Sequence, residues 1–149
     1  MRRHGLITLT VVLWAAADLS AVADRPDKKK QKPDPVKEEL KRLEGVWDYA
    51  VSRGDLHVTI RNGQYTSADS KGKVALSARM KIDPTKSPKW LDMVYTAGPY
   101  QGTTLAALYE LKGDTLTLCI ALSGVSRPTA LQQGAKYDLC TLRRRKKTK

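Results

Sequence analysis

The chain has 149 residues, with 27 Lys plus Arg against 15 Asp plus Glu and a formal net charge of +12. Two histidines and two cysteines are poor material for a histidine-based catalytic centre or a Cys/His metal cluster. Charge is also unevenly placed: 143–149 hold six basic residues and no acidic one, while 36–142 carry a balance of only +3, which speaks against a groove that reads nucleic-acid bases.

The chain begins MRRHGLITLTVVLWAAADLSAVAD. Arg2 and Arg3 precede an apolar run over 6–17, and Ala21-Val22-Ala23 supplies the small residues that a signal peptidase requires, so residues 1–23 are predicted to be a signal peptide. A run of 12 residues falls short of the ~20 needed for a spanning helix. The expected mature protein is secreted or periplasmic, without a membrane span, and is long enough for one small domain. Residues 24–35, DRPDKKKQKPDP, lack apolar periodicity and are predicted to be a disordered charged linker.

At DPVKEELKRLEG the pattern becomes helical. Asp34 suits an N-cap, Pro35 the first position, Glu38 and Glu39 the positive end, and Gly45 the stop; Val36, Leu40 and Leu43 fall on one side. Beyond Val46 the period drops to two. Leu56, Val58 and Ile60 alternate with polar residues up to Asn62-Gly63, a hairpin pair tolerant of positive φ. Val74, Leu76, Ala78, Met80 and Ile82 form the longest half-buried phase. Further strands are predicted over 46–53, 64–68, 89–95, 103–111, 115–121 and 136–143. Eight short strands joined mostly by short turns predict a mainly β, antiparallel up-and-down barrel over 36–143, closed so that no edge is exposed, with a basic tail over 144–149.

In the segment KIDPTKSPKWLDM, Asp83, Pro84 and Pro88 read as a turn between two strands. Trp90 is left over: it either shields the wall from outside or lines a mouth. Tyr65, Tyr95, Tyr109 and Tyr137 have apolar bodies and hydroxyl tips, which suit a ligand or a filled interior equally. Tyr100 lies in the glycine-bearing loop AGPYQGT, which lacks the lysine and following helix of a phosphate loop.

LEGVWDYAV, KIDPTKSPKWLDM, ALYELKGDTLTLCIAL and RPT follow one another in this chain, and as a set they resemble an uncharacterised family of exported planctomycete proteins with lipocalin-like barrels. The resemblance covers about 38–145; it implies an extracytoplasmic domain and brings no catalytic residues. Gly45-Val46-Trp47 after a short helix also looks like the lipocalin entry signature. That likeness implies that Trp47 closes one end of the barrel beneath an arginine from the last strand, with Arg143 expected in that role and Arg144 beside it.

Chemistry is sparse. His57 alternates with apolar residues and is expected on the solvent side, and no spacing singles out a carboxylate pair. No catalytic residue, cofactor or metal ligand is therefore assigned. Cys119 and Cys140 are compatible with a disulfide, if their strands pair with both sulfurs on the outer face, and equally with two free thiols. The expected function is a non-catalytic binding module for a small apolar or amphipathic ligand, with Trp90, Tyr95, Tyr100 and Arg127 as mouth contacts. The alternative is a structural or protein-interaction module with a solid barrel, whose basic tail engages an anionic envelope polymer.

Overall fold

The computed structural model describes residues 32–50 and 53–146. The predicted signal peptide, the 24–31 part of the predicted linker and 147–149 of the tail lie outside the described residues. One helix, α1 (Pro35–Leu43), opens the body. Its start follows the sequence: Asp34 Oδ1 accepts the Val36 N–H at 2.9 Å, and Pro35 fills the first turn, where a missing N–H costs nothing. Lys41 and Arg42 lie against its negative end. Glu44 caps the helix, so Gly45 begins the next strand rather than ending the helix, at a φ of +147° that favours glycine.

Eight antiparallel strands follow: β1 (Gly45–Tyr49), β2 (His57–Arg61), β3 (Gln64–Ala68), β4 (Val74–Asp83), β5 (Lys89–Ala97), β6 (Thr104–Lys112), β7 (Thr115–Ala121) and β8 (Tyr137–Arg144). Each pairs with its neighbour in sequence, and β1 pairs with β8, so the sheet closes as the mainly β, up-and-down barrel that the alternation predicts. The turn between β2 and β3 is made by Asn62 and Gly63 at φ 50° and 70°, the mirror-image geometry whose twist matches that of a hairpin. β8 extends through Arg144, so the tail begins one residue later than the sequence suggests, and the helix extends the domain back to Pro35.

Alternation sorts the side chains. Val58, Ile60, Leu91, Met93, Leu116 and Leu118 point inward and are at most 1% exposed. A cavity wide enough for water would leave accessible surface on the side chains around it; these have almost none, so the interior is packed through the middle of the barrel, while Leu76, Ile82 and Leu111 toward its ends are partly buried. Helix α1 lies over the end of the barrel that holds the 62–63, 84–88 and 113–114 turns. There Leu40 sits 3.7 Å from the position a Cβ on Gly63 would take. No helix among the described residues is long and apolar enough to cross a membrane.

Candidate functional site

The helix end of the barrel is shut by Trp47 and Arg144. Trp47 is fully buried and its indole N–H donates to Leu43 O at 3.1 Å. The Arg144 guanidinium carbon stands 4.1 Å from the indole centroid. Its Nη1 donates to Glu44 O and its Nη2 to Arg42 O, so one cation satisfies two of the carbonyls left over at the end of α1. The sequence assigned this role to Arg143. Register explains the correction: Trp47 stands opposite Arg144, on the same face of the β1–β8 ladder, whereas Arg143 stands opposite Asp48 and points outward. Gly45 belongs to the same device, because a Cβ there would lie 2.7 Å from Arg144 Nη1.

Beside this closure a groove of about 630 Å³ runs along the outer wall. Val46 and Thr59, opposite one another on β1 and β2, share its lining with Arg61, Arg145 and Lys146. Its one carboxylate, Glu44, accepts the Asn62 N–H. Cross-strand register carries the positive surface onward: Arg61 faces Gln64, and Gln64 faces Arg79, with Lys81 two residues further on the same phase of β4. Two strand spacings put Arg61 and Arg79 about 10 Å apart. Among the described residues none of Arg61, Arg79, Lys81 and Lys146 forms an ion pair, whereas Arg145 is paired with Asp48. Sequence reasoning missed this surface by reading the β2 and β4 alternation for its apolar phase alone. The opposite phase, which carries Arg61, Arg79 and Lys81, was the available signal.

The four residues predicted as mouth contacts separate into two pairs. Trp90 and Arg127 meet on the outer wall, with the guanidinium carbon 4.7 Å from the indole centroid and Lys86 Nζ 5.0 Å from the same ring. Arg127 Nη1 also donates to Leu91 O at 2.9 Å and to Ala107 O at 2.6 Å, and Nη2 pairs with Asp92. This fastens the β7–β8 connection, 122–136, across the outside of β5 and β6. Leu108, Cys119 and Ala121 occupy the outer phase of their strands yet are at most 1% exposed, and Cys119 Sγ donates to Gln132 O at 3.3 Å. Trp90 thus anchors a cover over the wall rather than lining a mouth. Tyr95 and Tyr100 meet at the other end of the barrel, with ring centroids 5.3 Å apart; Tyr95 is buried and Tyr100 exposed.

Cys119 and Cys140 are free thiols. Cys140 stands opposite Leu118 and faces inward, while Cys119 stands opposite Leu139 and faces outward, so the wall of the sheet separates the two sulfurs. This leaves the second of the two expected alternatives, a pair of free thiols, and removes the bridge. Burial first, and the nearby Asp138 carboxylate second, push the Cys140 thiol up to about 12. That leaves it a protonated, unreactive core residue at neutral pH. Asp138 is held low chiefly by hydrogen bonds from Arg53, whose Nη2 lies 2.8 Å from Oδ1.

The most deeply buried charge lies under the helix. Glu39, 5% exposed, pairs with Lys89 and, at 2.9 Å, with Arg42 Nη1. The hydroxyl of adjacent Tyr109 is buried beside the Glu39 carboxylate, outside the geometry of a good hydrogen bond. Desolvation first, then the Glu39 charge, raise its pKa, so it stays a neutral donor. No group of three or more metal-ligating side chains occurs among the described residues.

These features define a closed, eight-strand antiparallel barrel with a packed middle. No family model, curated protein or solved structure matches the chain.

Proposed function

We propose that this protein is a non-catalytic, extracytoplasmic interaction module that holds an acidic glycan against the outer wall of a solid barrel, in the groove beside Arg61, Arg145 and Lys146. The observation that carries this reading is the combination of a packed interior with a groove of about 630 Å³ flanked by cations. The row Arg61–Gln64–Arg79 lengthens the surface, as a repeating anion requires, and Lys146 stands beside it. Several partly screened contacts in a line suit a polymer better than a single small anion, because each is weak alone and they add along the chain. The predicted signal peptide and the resemblance to an exported family support an envelope setting for such a partner.

Polygalacturonate is a suitable probe, with uncharged dextran as control. Calorimetry is expected to show binding to the acidic polymer at about 50 mM salt, lost by about 500 mM as the Debye length shrinks below the spacing of the charges. A chain ending at Arg145, combined with Arg61→Gln and Arg79→Gln, keeps the Arg144 closure intact and should lose most of that binding. Equal binding to dextran, or unchanged binding by this variant, would overturn the assignment.

A further inference from the structure

A second cavity, of about 460 Å³, opens at the helix end of the barrel, on the β5–β6 side. Its origin is local. β5 and β6 pair up to Lys89 opposite Tyr109 and no further, because the preceding residue, Pro88, has no N–H to extend the ladder. Glu110, Leu111 and Lys112 therefore pair with β7 alone, and the gap is roofed by the β4–β5 turn and the tip of the 122–136 cover.

Its lining is of two kinds. Pro88, Leu111 and Leu131 provide apolar surface, while Lys86, Lys89 and Lys112 stand against the single carboxylate of Glu110. Lys89 is taken up by Glu39, but Lys86 has the Trp90 ring face with the Asp83 carboxylate nearby, and Lys112 a surface pair with Glu110 in which its side chain stays 77% exposed. Contacts of these kinds exchange readily for a carboxylate. Tyr109 lines the same cavity, its hydroxyl buried beside the Glu39 carboxylate.

We infer that this cavity binds a small amphipathic carboxylate, its apolar part against Leu111 and Leu131 and its head toward Lys86 and Lys112. The volume falls within the roughly 300–1,000 Å³ of small-molecule sites. The site is separate from the polymer groove, which lies against β1 and β2, and does not rest on the reading proposed for it.

Octanoate is the probe, titrated into the mature chain and followed by amide chemical shifts. Saturable shifts are expected in 86–89 and 109–112, with octanol about tenfold weaker for want of a charge-assisted contact. Ala130→Trp, at an exposed position lining the cavity, should fill the space and abolish the shifts without disturbing the core. Lys86→Gln with Lys112→Gln should weaken binding about tenfold. No saturable shift up to the solubility of octanoate, shifts confined to other segments, or binding indifferent to Ala130→Trp would each overturn the inference.

Discussion

Arg144 serves three neighbours at one corner: the face of Trp47, the final carbonyls of α1, and Asp114, whose carboxylate lies 3.3 Å from its Nε. A partly buried cation–π contact and a charge at a helix C-terminus together stabilise by about 2 kcal/mol. Arg144→Met should therefore lower Tm by roughly 8 °C for a body of this size, while Arg143→Met, on the exposed outer face, should leave stability within about 0.5 kcal/mol. Thermal melts of the two variants check the assignment, and equal losses would refute it. The sequence displays the triple arginine but not which member faces inward, because a one-residue slip in register exchanges the faces. At the opposite end, Asp138 has a pKa depressed below its usual value by Arg53. A depressed carboxyl contributes stability above its unfolded pKa of about 3.9 and loses it as pH falls through the lower folded value. Asp138→Asn should be less stable than the parent at pH 7, and the gap should close in acid. Asp48, lowered in the same direction by Arg145, keeps part of the acid limb in place. Melting temperatures across the acid range read this out, and a gap that persisted unchanged in acid would count against the pairing.

Among the elements, the 122–136 connection is the one that local pattern describes least. Arg127 is its charged tie to the wall, bonding two carbonyls and a carboxylate on strands far away in sequence and stacking on Trp90, while Gln133 adds hydrogen bonds to β8. Removing a charge-assisted anchor worth about 1.5–3 kcal/mol takes that amount off the free energy of opening the cover. Arg127→Ala should thus expose Cys119, raising its rate of thiol labelling about tenfold or more, while Cys140 stays slow behind the barrel wall. Labelling rates resolved by peptide mass are the measurement, and a Cys119 rate equal to the parent's would mean that the cover is held by other contacts. The strands themselves were legible. Asn62-Gly63, Gly113 and the proline pair at 84 and 88 punctuate them, and alternation over 74–83 or 115–121 needs only near neighbours to be read. Trp90 and Arg127 were singled out by their chemistry, and they do touch. That they meet on the outside could not be read, because their meeting depends on a connection folding back over three strands. Cys140 was misplaced for a related reason: its phase follows from the pairing of Leu118 with Cys140, which nothing within β8 specifies.

For the whole molecule, stability and binding are carried by different surfaces, and this separates the present reading from that of a ligand-filled barrel. A barrel that holds its ligand inside must leave room between its inner side chains, and shortening one of them enlarges the site as well as weakening the fold. Here Leu118 is fully buried in a core that joins both ends of the barrel, from Leu43 and Trp47 near the helix to Tyr65, Tyr95 and Cys140 at the far end. Leu118→Ala should therefore create a cavity costing about 3 kcal/mol, lowering Tm by more than 10 °C, because a closed ring of hydrogen-bonded strands cannot collapse inward to fill it. Binding of the acidic polymer at a temperature where the variant is still folded should match the parent, since Arg61, Arg79, Arg145 and Lys146 stand on the other side of the sheet. Calorimetric binding and thermal melts on the same preparation test both halves. A fall in polymer affinity parallel to the fall in stability would show that the interior takes part in recognition, and would return the binding site to the inside of the barrel.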